Sequence, residues 1–117
     1  MSLKRILLIT LAASSSARAA DIKAPPWETP PAVIGRDLFR ENCAVCHDIN
    51  KDQRHTRKLG PSLYHLFKNE KLPLSHGKPS RQYVAIRIKF GGQIMPAFSK
   101  RLTNSEIDTL IDYIASK

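Results

Sequence analysis

Two cysteines and one histidine stand close together in the chain, as Cys43, Cys46 and His47. Residues three apart on a helical turn lie on one face, so both thiols can add to the vinyl groups at one edge of a flat haem macrocycle. The neighbouring imidazole then projects toward the iron and supplies its proximal nitrogen ligand. The spacing Cys-x-x-Cys-His therefore predicts one haem c bound covalently through thioethers, with His47 as a metal ligand.

Three other chemistries compete for the same residues. A thioredoxin-like dithiol needs a βαβ pattern around the cysteines, and the residues before Cys43 show helical periodicity instead. Half of a zinc site would need further ligands from His55, His65 or His76, none of which lies at a familiar spacing. A structural disulfide between Cys43 and Cys46 would close almost no loop. Haem attachment is the interpretation that all the surrounding residues favour.

A second iron ligand is predicted at Met95, since the chain has two methionines and the other is residue 1. Met95 follows Gly91 and Gly92, which let the backbone approach a macrocycle, and precedes Pro96, which blocks a helix. A thioether ligand kept from water raises the reduction potential of the iron. Ordinary core packing is the alternative role for this side chain. The rival ligands for the same position are His55, His65 and His76.

The N-terminus predicts a secretory signal. Lys4 and Arg5 precede the short apolar run at residues 6–13, and small residues follow up to Ala19. This arrangement is typical of a signal cleaved after Ala19, with Ala20 as the other choice. A retained membrane anchor is the alternative, but the run is far shorter than the roughly 20 apolar residues that span a bilayer. We expect an exported, periplasmic and soluble mature protein.

Basic residues exceed acidic ones, and the net charge of the chain is +9. Cleavage after Ala19 would remove three basic residues and no acidic one, so the mature protein would stay basic. Such a surface can bind nucleic acid, anionic lipid or an acidic protein. Export argues against nucleic acid, which leaves a docking face for an acidic protein or a merely solvated surface. The candidate docking residues are Lys51, Arg54, Arg57, Lys58, Lys68, Lys71, Lys100 and Arg101.

Helices must position these groups. Four prolines make residues 20–32 an extended arm, and apolar residues at helical spacing predict a first helix over 33–43. A further helix starts at Pro79 or Ser80 and stops at Gly91. Between these helices we expect a polar loop over 48–58, a Gly60-Pro61 turn, a short helix over 63–67 and an irregular segment over 69–79.

The last helix has the clearest signature. Thr103 and Glu106 have the spacing of a capping box at its start. The apolar residues that follow, Ile107, Leu110, Ile111 and Ile114, recur on one helical face. No strand pattern is evident, so the sequence predicts an all-α fold of about three to four helices with long loops.

The order of these features resembles class I cytochrome c, the small monohaem electron carriers. The resemblance covers 33–117 and implies the cytochrome c fold, with the helices and loops wrapped around one haem. It also implies that Gly35 and Phe39 pack against Leu110 and Tyr113 of the last helix. Pro61 matches the proline whose carbonyl accepts the ring proton of the iron-binding histidine, here His47. Propionate partners stay open among Tyr64, Tyr83, His76 and Arg87.

The resemblance implies electron transfer rather than an enzyme reaction. The expected partners are redox proteins, such as a dehydrogenase, an oxidase or a membrane cytochrome complex, and no small-molecule substrate is expected. A permanent subunit of such a complex is one alternative, and a haem peroxidase or ligand sensor is another. The predicted organisation is a signal peptide over 1–19, a proline-rich arm over 20–32 and a cytochrome c domain over 33–117.

Overall fold

Five helical segments form the regular structure of residues 29–53, 57–72 and 75–117, the part that the computed structural model describes. They are α1 (Pro31–Asn42), α2 (Arg81–Phe90), α3 (Asn104–Ala115) and two 3-10 helices, Lys51–Gln53 and Leu66–Lys68. No strand occurs within these ranges, which confirms the predicted all-α class. None of the helices in this part of the chain is long and apolar enough to cross a membrane.

Helix α1 begins at Pro31, two residues earlier than predicted and inside the range assigned to the arm. Proline is favoured at the first position of a helix, because its fixed φ suits the helix and its missing N–H has no partner there in any case. The predicted signal and the arm up to residue 28 lie outside the described residues. Ile34, predicted on the apolar face, is 40% exposed. The buried face of α1 runs instead through Gly35 and Phe39.

Helix α3 confirms its predicted start. The backbone N–H of Glu106 donates to the Thr103 hydroxyl at 3.2 Å, and the N–H of Thr103 donates to the Glu106 carboxylate at 2.7 Å. These two bonds satisfy donors that a helix N-terminus otherwise leaves unpaired. The predicted apolar face is buried throughout, and its four residues are Ile107, Leu110, Ile111 and Ile114.

The crossing of α1 and α3 is as close as the resemblance implied. A Cβ atom at Gly35 would lie 2.6 Å from Cβ of Tyr113 and 2.8 Å from the Thr109 carbonyl oxygen, so a side chain there has no room. The rings of Phe39 and Tyr113 pack beside this point with centroids 6.0 Å apart. Leu110 is fully buried in the same core. A glycine and two rings therefore set the distance between these helices.

Helix α2 also begins and ends where its sequence predicted. The Ser80 hydroxyl accepts from the N–H of Tyr83 at 3.1 Å, and Gly91 forms the C-cap. Val84 and Ile88 are buried, whereas Phe90 at the last turn is 71% exposed.

The segments between α1 and α2 differ modestly from expectation. The short helix predicted over 63–67 is a 3-10 helix that begins three residues later, at Leu66. His65, the residue before this helix, has a φ of 55°. This left-handed conformation prevents the helix from extending toward the N-terminus through His65. The predicted polar loop contains the 3-10 turn Lys51–Gln53.

Candidate functional site

The two cysteines lie on a turn that continues directly from α1. The N–H of Cys43 donates to the Phe39 carbonyl oxygen at 2.8 Å, and the N–H groups of Cys46 and His47 donate to the Cys43 carbonyl oxygen at 3.1 and 2.9 Å. We call residues 43–48 the attachment turn. Because the chain stays helically wound here, residues 43 and 46 keep a common side. Both thiols and the His47 ring line one cavity.

This cavity has a volume of about 560 Å³ and a mostly aliphatic wall. Its volume lies in the range of about 300 to 1,000 Å³ that is usual for cofactor and ligand sites. Leu59 and Ile94 both face it, yet they are 69% and 71% exposed. An apolar ligand that covers such large apolar side chains would remove their surface from water, which is favourable. A flat, largely apolar macrocycle fits this wall.

The thiol chemistry of Cys43 argues against the thioredoxin-like alternative. Burial, and next the neighbouring Cys46, raise the pKa of the Cys43 thiol to about 11. An exchange-active dithiol instead needs a thiol whose pKa is lowered, so that it ionises near neutral pH. The described residues also contain no strand that could form the βαβ unit of that fold. The zinc alternative gains no support either, because no cluster of three or more metal-binding side chains occurs among the described residues.

The orientation of the His47 ring is defined by the loop that follows. Its Nδ1 lies 2.7 Å from the Pro61 carbonyl oxygen. A carbonyl can only accept, so the proton sits on Nδ1 and the lone pair is left on Nε2. A Cβ atom at Gly60 would lie 2.7 Å from Nδ1 and 2.8 Å from Nε2 of the ring. Gly60 is therefore required for the chain to pass over the imidazole. The sequence had predicted only a turn at this position.

Met95 lines the same cavity, on the loop that follows α2. The N–H of Gly92 donates to the Met95 carbonyl oxygen at 2.9 Å, and the N–H of Phe98 donates to the Ile88 carbonyl oxygen at 3.0 Å. These bonds fold the loop back on the end of α2 and fix the position of the Met95 backbone.

The rival histidines are placed differently. His65 stacks on the Tyr64 ring, with centroids 3.8 Å apart, and does not line the cavity. His76 is exposed and is also absent from the cavity wall. His55 lies outside the described residues. The donor side chains that the structure brings together on this wall are thus those of Cys43, Cys46, His47 and Met95.

Residues 30–114 match the protein family described as "Cytochrome C oxidase, cbb3-type, subunit III", and this match covers most of the chain. The chain belongs to this cytochrome c family. Cytochrome c6 of Bryopsis maxima is 31% identical over 81 residues, which are 69% of this cytochrome and 85% of that protein. Cytochrome c6 of a Nostoc species is 30% identical over 112 residues, which are 96% and 85% of the two chains.

Solved structures give the same result for the fold. Cytochrome c6 from the diatom Phaeodactylum tricornutum superimposes with a TM-score of 0.54 at 23% identity, over 73% of this cytochrome and 91% of that chain. The c-type cytochrome SorU from Sinorhizobium meliloti gives a TM-score of 0.52 at 26% identity, over 74% and 88%. The predicted class I monohaem fold is confirmed. This cytochrome carries one covalently bound haem c and functions as an electron carrier, not an enzyme, with redox proteins as its partners.

One wall of the haem cavity is polar. Arg87 donates to the Tyr83 hydroxyl at 2.8 Å and to the Gly91 carbonyl oxygen at 3.1 Å. The hydrogen bond from Arg87, and next a hydrogen bond with Ser75, lower the pKa of the Tyr83 hydroxyl. Within residues 29–53, 57–72 and 75–117, no carboxylate lies within ion-pair distance of Arg87. The cavity of this cytochrome therefore contains a guanidinium that an anionic group would stabilise.

Two charged residues beside the attachment turn of this cytochrome differ from expectation. Asp48 and Lys58 are the first and last residues of the segment predicted as a polar loop. Asp48 is nevertheless buried, with an exposure of 3%. The two side chains form an ion pair at 3.1 Å. Lys58 thus points inward and does not belong to the docking face predicted for it. No local sequence pattern marks this pair, because its members are ten positions apart in the chain.

Proposed function

We propose that Cys43 and Cys46 would hold the haem through thioethers and that His47 and Met95 would bind its iron. One observation carries this assignment: the two thiols, an imidazole whose Nε2 is left with its lone pair, and the Met95 side chain all line one apolar cavity. When bound, the haem supplies an iron that exchanges single electrons between its ferrous and ferric states.

The residues around the cavity act by orientation and by exclusion of water. The Pro61 carbonyl holds the Nδ1 proton of His47, which fixes the ring and increases its strength as a donor. The Met95 thioether, a soft ligand, favours the reduced state. Leu59 and Ile94 line the cavity and would cover a bound macrocycle, which would exclude water from the iron and raise its reduction potential further.

We further propose that Arg87 and Tyr83 bind the haem propionates. Both side chains line the cavity, whereas Tyr64 and His76 do not. The described residues provide Arg87 with no carboxylate partner, and a charge-assisted bond from a guanidinium to a carboxylate is among the stronger hydrogen bonds. Substituting Arg87→Lys keeps the charge and removes the planar fork, so a shift in the reduction potential with this variant would support the assignment.

The sharpest test of the whole assignment is the intact mass of the exported protein. We expect one haem per chain, retained after denaturation and acid extraction, and a chain that begins at residue 20, as signal cleavage after Ala19 requires. A colourless protein from a host able to mature c-type cytochromes would contradict haem attachment. A coloured protein that still carries residues 1–19 would contradict only the predicted signal cleavage and the organisation into 1–19, 20–32 and 33–117.

The partners that we propose are redox proteins with acidic docking faces. The exposed basic residues that could meet such a face are Lys51, Arg57, Lys68, Lys71, Lys100 and Arg101, whereas Arg54 lies outside the described residues. Attraction between opposite charges speeds encounter and is screened by salt. We expect the rate of oxidation by anionic ferricyanide to fall with rising ionic strength more than the rate with a neutral oxidant. Equal salt dependence for both oxidants would remove the proposed basic docking face.

We propose that this cytochrome is a freely diffusing periplasmic carrier. The support is that it spans about 85% of the length of the related cytochromes c6, so the alternative of a permanent oxidase or dehydrogenase subunit is not favoured. Size-exclusion chromatography of a detergent-free periplasmic extract should place the haem at the mass of a single small chain. Elution of all the haem with a larger catalytic subunit would contradict a free carrier.

A further inference from the structure

A short segment lies across the attachment turn and is hydrogen-bonded to it along its length. We call this segment the strap, residues 58–63. The N–H of Gly60 donates to the Cys46 carbonyl oxygen at 2.7 Å, and the N–H of Leu63 donates to the Asp48 carbonyl oxygen at 2.8 Å. Between these two bonds the strap carries the carbonyl that accepts from the His47 ring. The position of the strap therefore decides the position of that acceptor.

Lys58 anchors the first residue of the strap. Its Nζ donates to the Ala44 carbonyl oxygen at 2.5 Å and to the His47 carbonyl oxygen at 3.3 Å. The same atom lies 3.1 Å from Oδ1 of Asp48. One ammonium thus joins two main-chain carbonyls and one carboxylate of the attachment turn. Carbonyls at the end of a helical segment have no intrahelical donor, and a lysine is a suitable partner for them.

The pair is largely removed from water. The Asp48 side chain is 4% exposed and that of Lys58 is 28% exposed. A buried carboxylate is costly unless it is paired, and the Lys58 ammonium is one partner that offsets this cost. The exposed pair between Arg81 and Asp112, at 2.7 Å, has side chains 53% and 69% exposed and carries no such requirement.

We propose that the Asp48–Lys58 ion pair is a positioning device, which holds the strap on the attachment turn and thereby fixes the orientation of the His47 ring through Pro61. The inference rests on the proposed function, in which His47 binds the haem iron. Lys58 and Asp48 act only through the strap, since neither needs to contact the haem. Loss of the pair would release the strap and leave the Nδ1 proton of His47 without a fixed acceptor.

The test uses the haem-loaded full-length protein and four variants. Lys58→Met removes the ammonium and keeps a chain of similar length, and Asp48→Asn removes the carboxylate charge with almost no change of shape. Lys58→Arg is the conservative variant, because it keeps a cation at the same place. Arg81→Met is the matched control, since it removes one member of an ion pair far along the chain and exposed to water.

Hydrogen exchange measured by NMR separates local release from global loss of stability. In Lys58→Met and Asp48→Asn we expect the strap amides of Gly60 and Leu63 and the Nδ1 proton of His47 to exchange at least about tenfold faster. The amides of the buried residues Leu110 and Ile111 in α3 should keep their rates. The reduction potential should shift in the same two variants and return toward the wild-type value in Lys58→Arg. Arg81→Met should change neither quantity.

Two results would overturn the proposal. Unchanged exchange of the strap amides and of the His47 proton would show that the pair does not hold the strap. Equal acceleration of strap and α3 amides would show that the pair acts only on global stability. If Lys58→Met does not accumulate, Asp48→Asn carries the same comparison. A separate variant tests the proposed function itself. If His47 does not bind the iron, His47→Ala should keep the wild-type visible spectrum. The exchange rates of the strap amides would still report on the ion pair in that case.

Discussion

The crossing of α1 and α3 and the haem cavity of this cytochrome are built in opposite ways. At the crossing, Tyr113 and the Thr109 carbonyl leave no space for a side chain at Gly35. Leu110 is fully buried and Phe39 is 4% exposed. At the cavity, Leu59 and Ile94 are about as exposed as surface residues. The crossing is formed by helices, whereas most of the cavity wall is formed by loops.

This difference shows which part of the molecule depends on the cofactor. The crossing buries its apolar side chains against other protein atoms, so its packing is complete within the chain. At the cavity wall, Leu59 and Ile94 stay largely exposed within the chain itself, and burying such a side chain contributes about 1.5 to 3 kcal/mol. We therefore expect changes at the cavity to act on haem retention and ligation, and changes at the crossing to act on the free energy of unfolding alone.

The largest expected effect is that of removing both thiols. The double substitution Cys43→Ala and Cys46→Ala should abolish covalent haem, because no other cysteine is present in the chain. Intact mass and acid extraction measure this directly. Val45→Ala is the control within the same turn, since Val45 is 81% exposed and should not affect attachment. Haem that stayed bound after acid extraction of the double variant would contradict the assignment of the thioethers.

Removal of the proposed sixth ligand should have the next largest effect. Met95→Ala should lower the reduction potential and open the iron to added ligands, because it deletes the thioether from the cavity. The measurement is the visible spectrum, which should lose its thioether-to-iron band at long wavelength and respond to added imidazole. His65→Ala is the control, since its ring stacks on Tyr64 away from the cavity. Absence of this band from the wild-type protein, together with a spectrum that changes in His65→Ala and not in Met95→Ala, would move the ligand to His65.

A smaller effect, confined to stability, is expected at the crossing. Gly35→Ala would place a Cβ atom 2.8 Å from the Thr109 carbonyl oxygen, part of a backbone that cannot move aside cheaply. Overpacking of this kind costs about 1 to 3 kcal/mol, of which the better helix propensity of alanine returns about 0.5 to 1 kcal/mol.

Denaturant unfolding of the haem protein measures this loss. Gly77→Ala is the matched control, because the nearest atom to its new Cβ would be the Ser75 hydroxyl at 3.6 Å. The reduction potential should stay unchanged in both variants if the crossing and the cavity are independent. A shifted potential in Gly35→Ala would show that the two regions are coupled.

The smallest effect is expected at the cap of α3. Thr103→Ala should cost about 1 kcal/mol of unfolding free energy, because it removes the N-cap acceptor. The N–H and then the hydroxyl of Thr103 lower the pKa of Glu106 in the folded state. The contribution of this carboxylate is therefore present above its unfolded-state pKa and is lost as the pH falls through the folded value.

The pH dependence gives a direct check on the cap. The difference in unfolding free energy between wild type and Glu106→Gln should be largest near neutral pH and should narrow below about pH 4. A difference that grew on acidification would have the wrong sign for a lowered pKa.

The sequence by itself determined the features that depend on near neighbours. Four features depend only on residues within about one or two helical turns of each other. They are the cap of α3, the start and end of α2, the buried face of α3 and the cysteine spacing. Such interactions are fixed by the order of the residues, so a pattern in the sequence is enough to locate them. The family resemblance added the crossing at Gly35 and the carbonyl of Pro61.

Only the tertiary structure decided which charged residues face inward and which apolar residues face outward. Asp48 and Lys58 look like loop residues in the sequence but form an ion pair in which Asp48 is buried, and the large apolar side chain of Phe90 lies exposed. The passage of Gly60 over the His47 ring is likewise visible only in three dimensions. These contacts and exposures depend on how irregular loops place residues that are distant in the sequence. Local periodicity in the sequence cannot predict such placements.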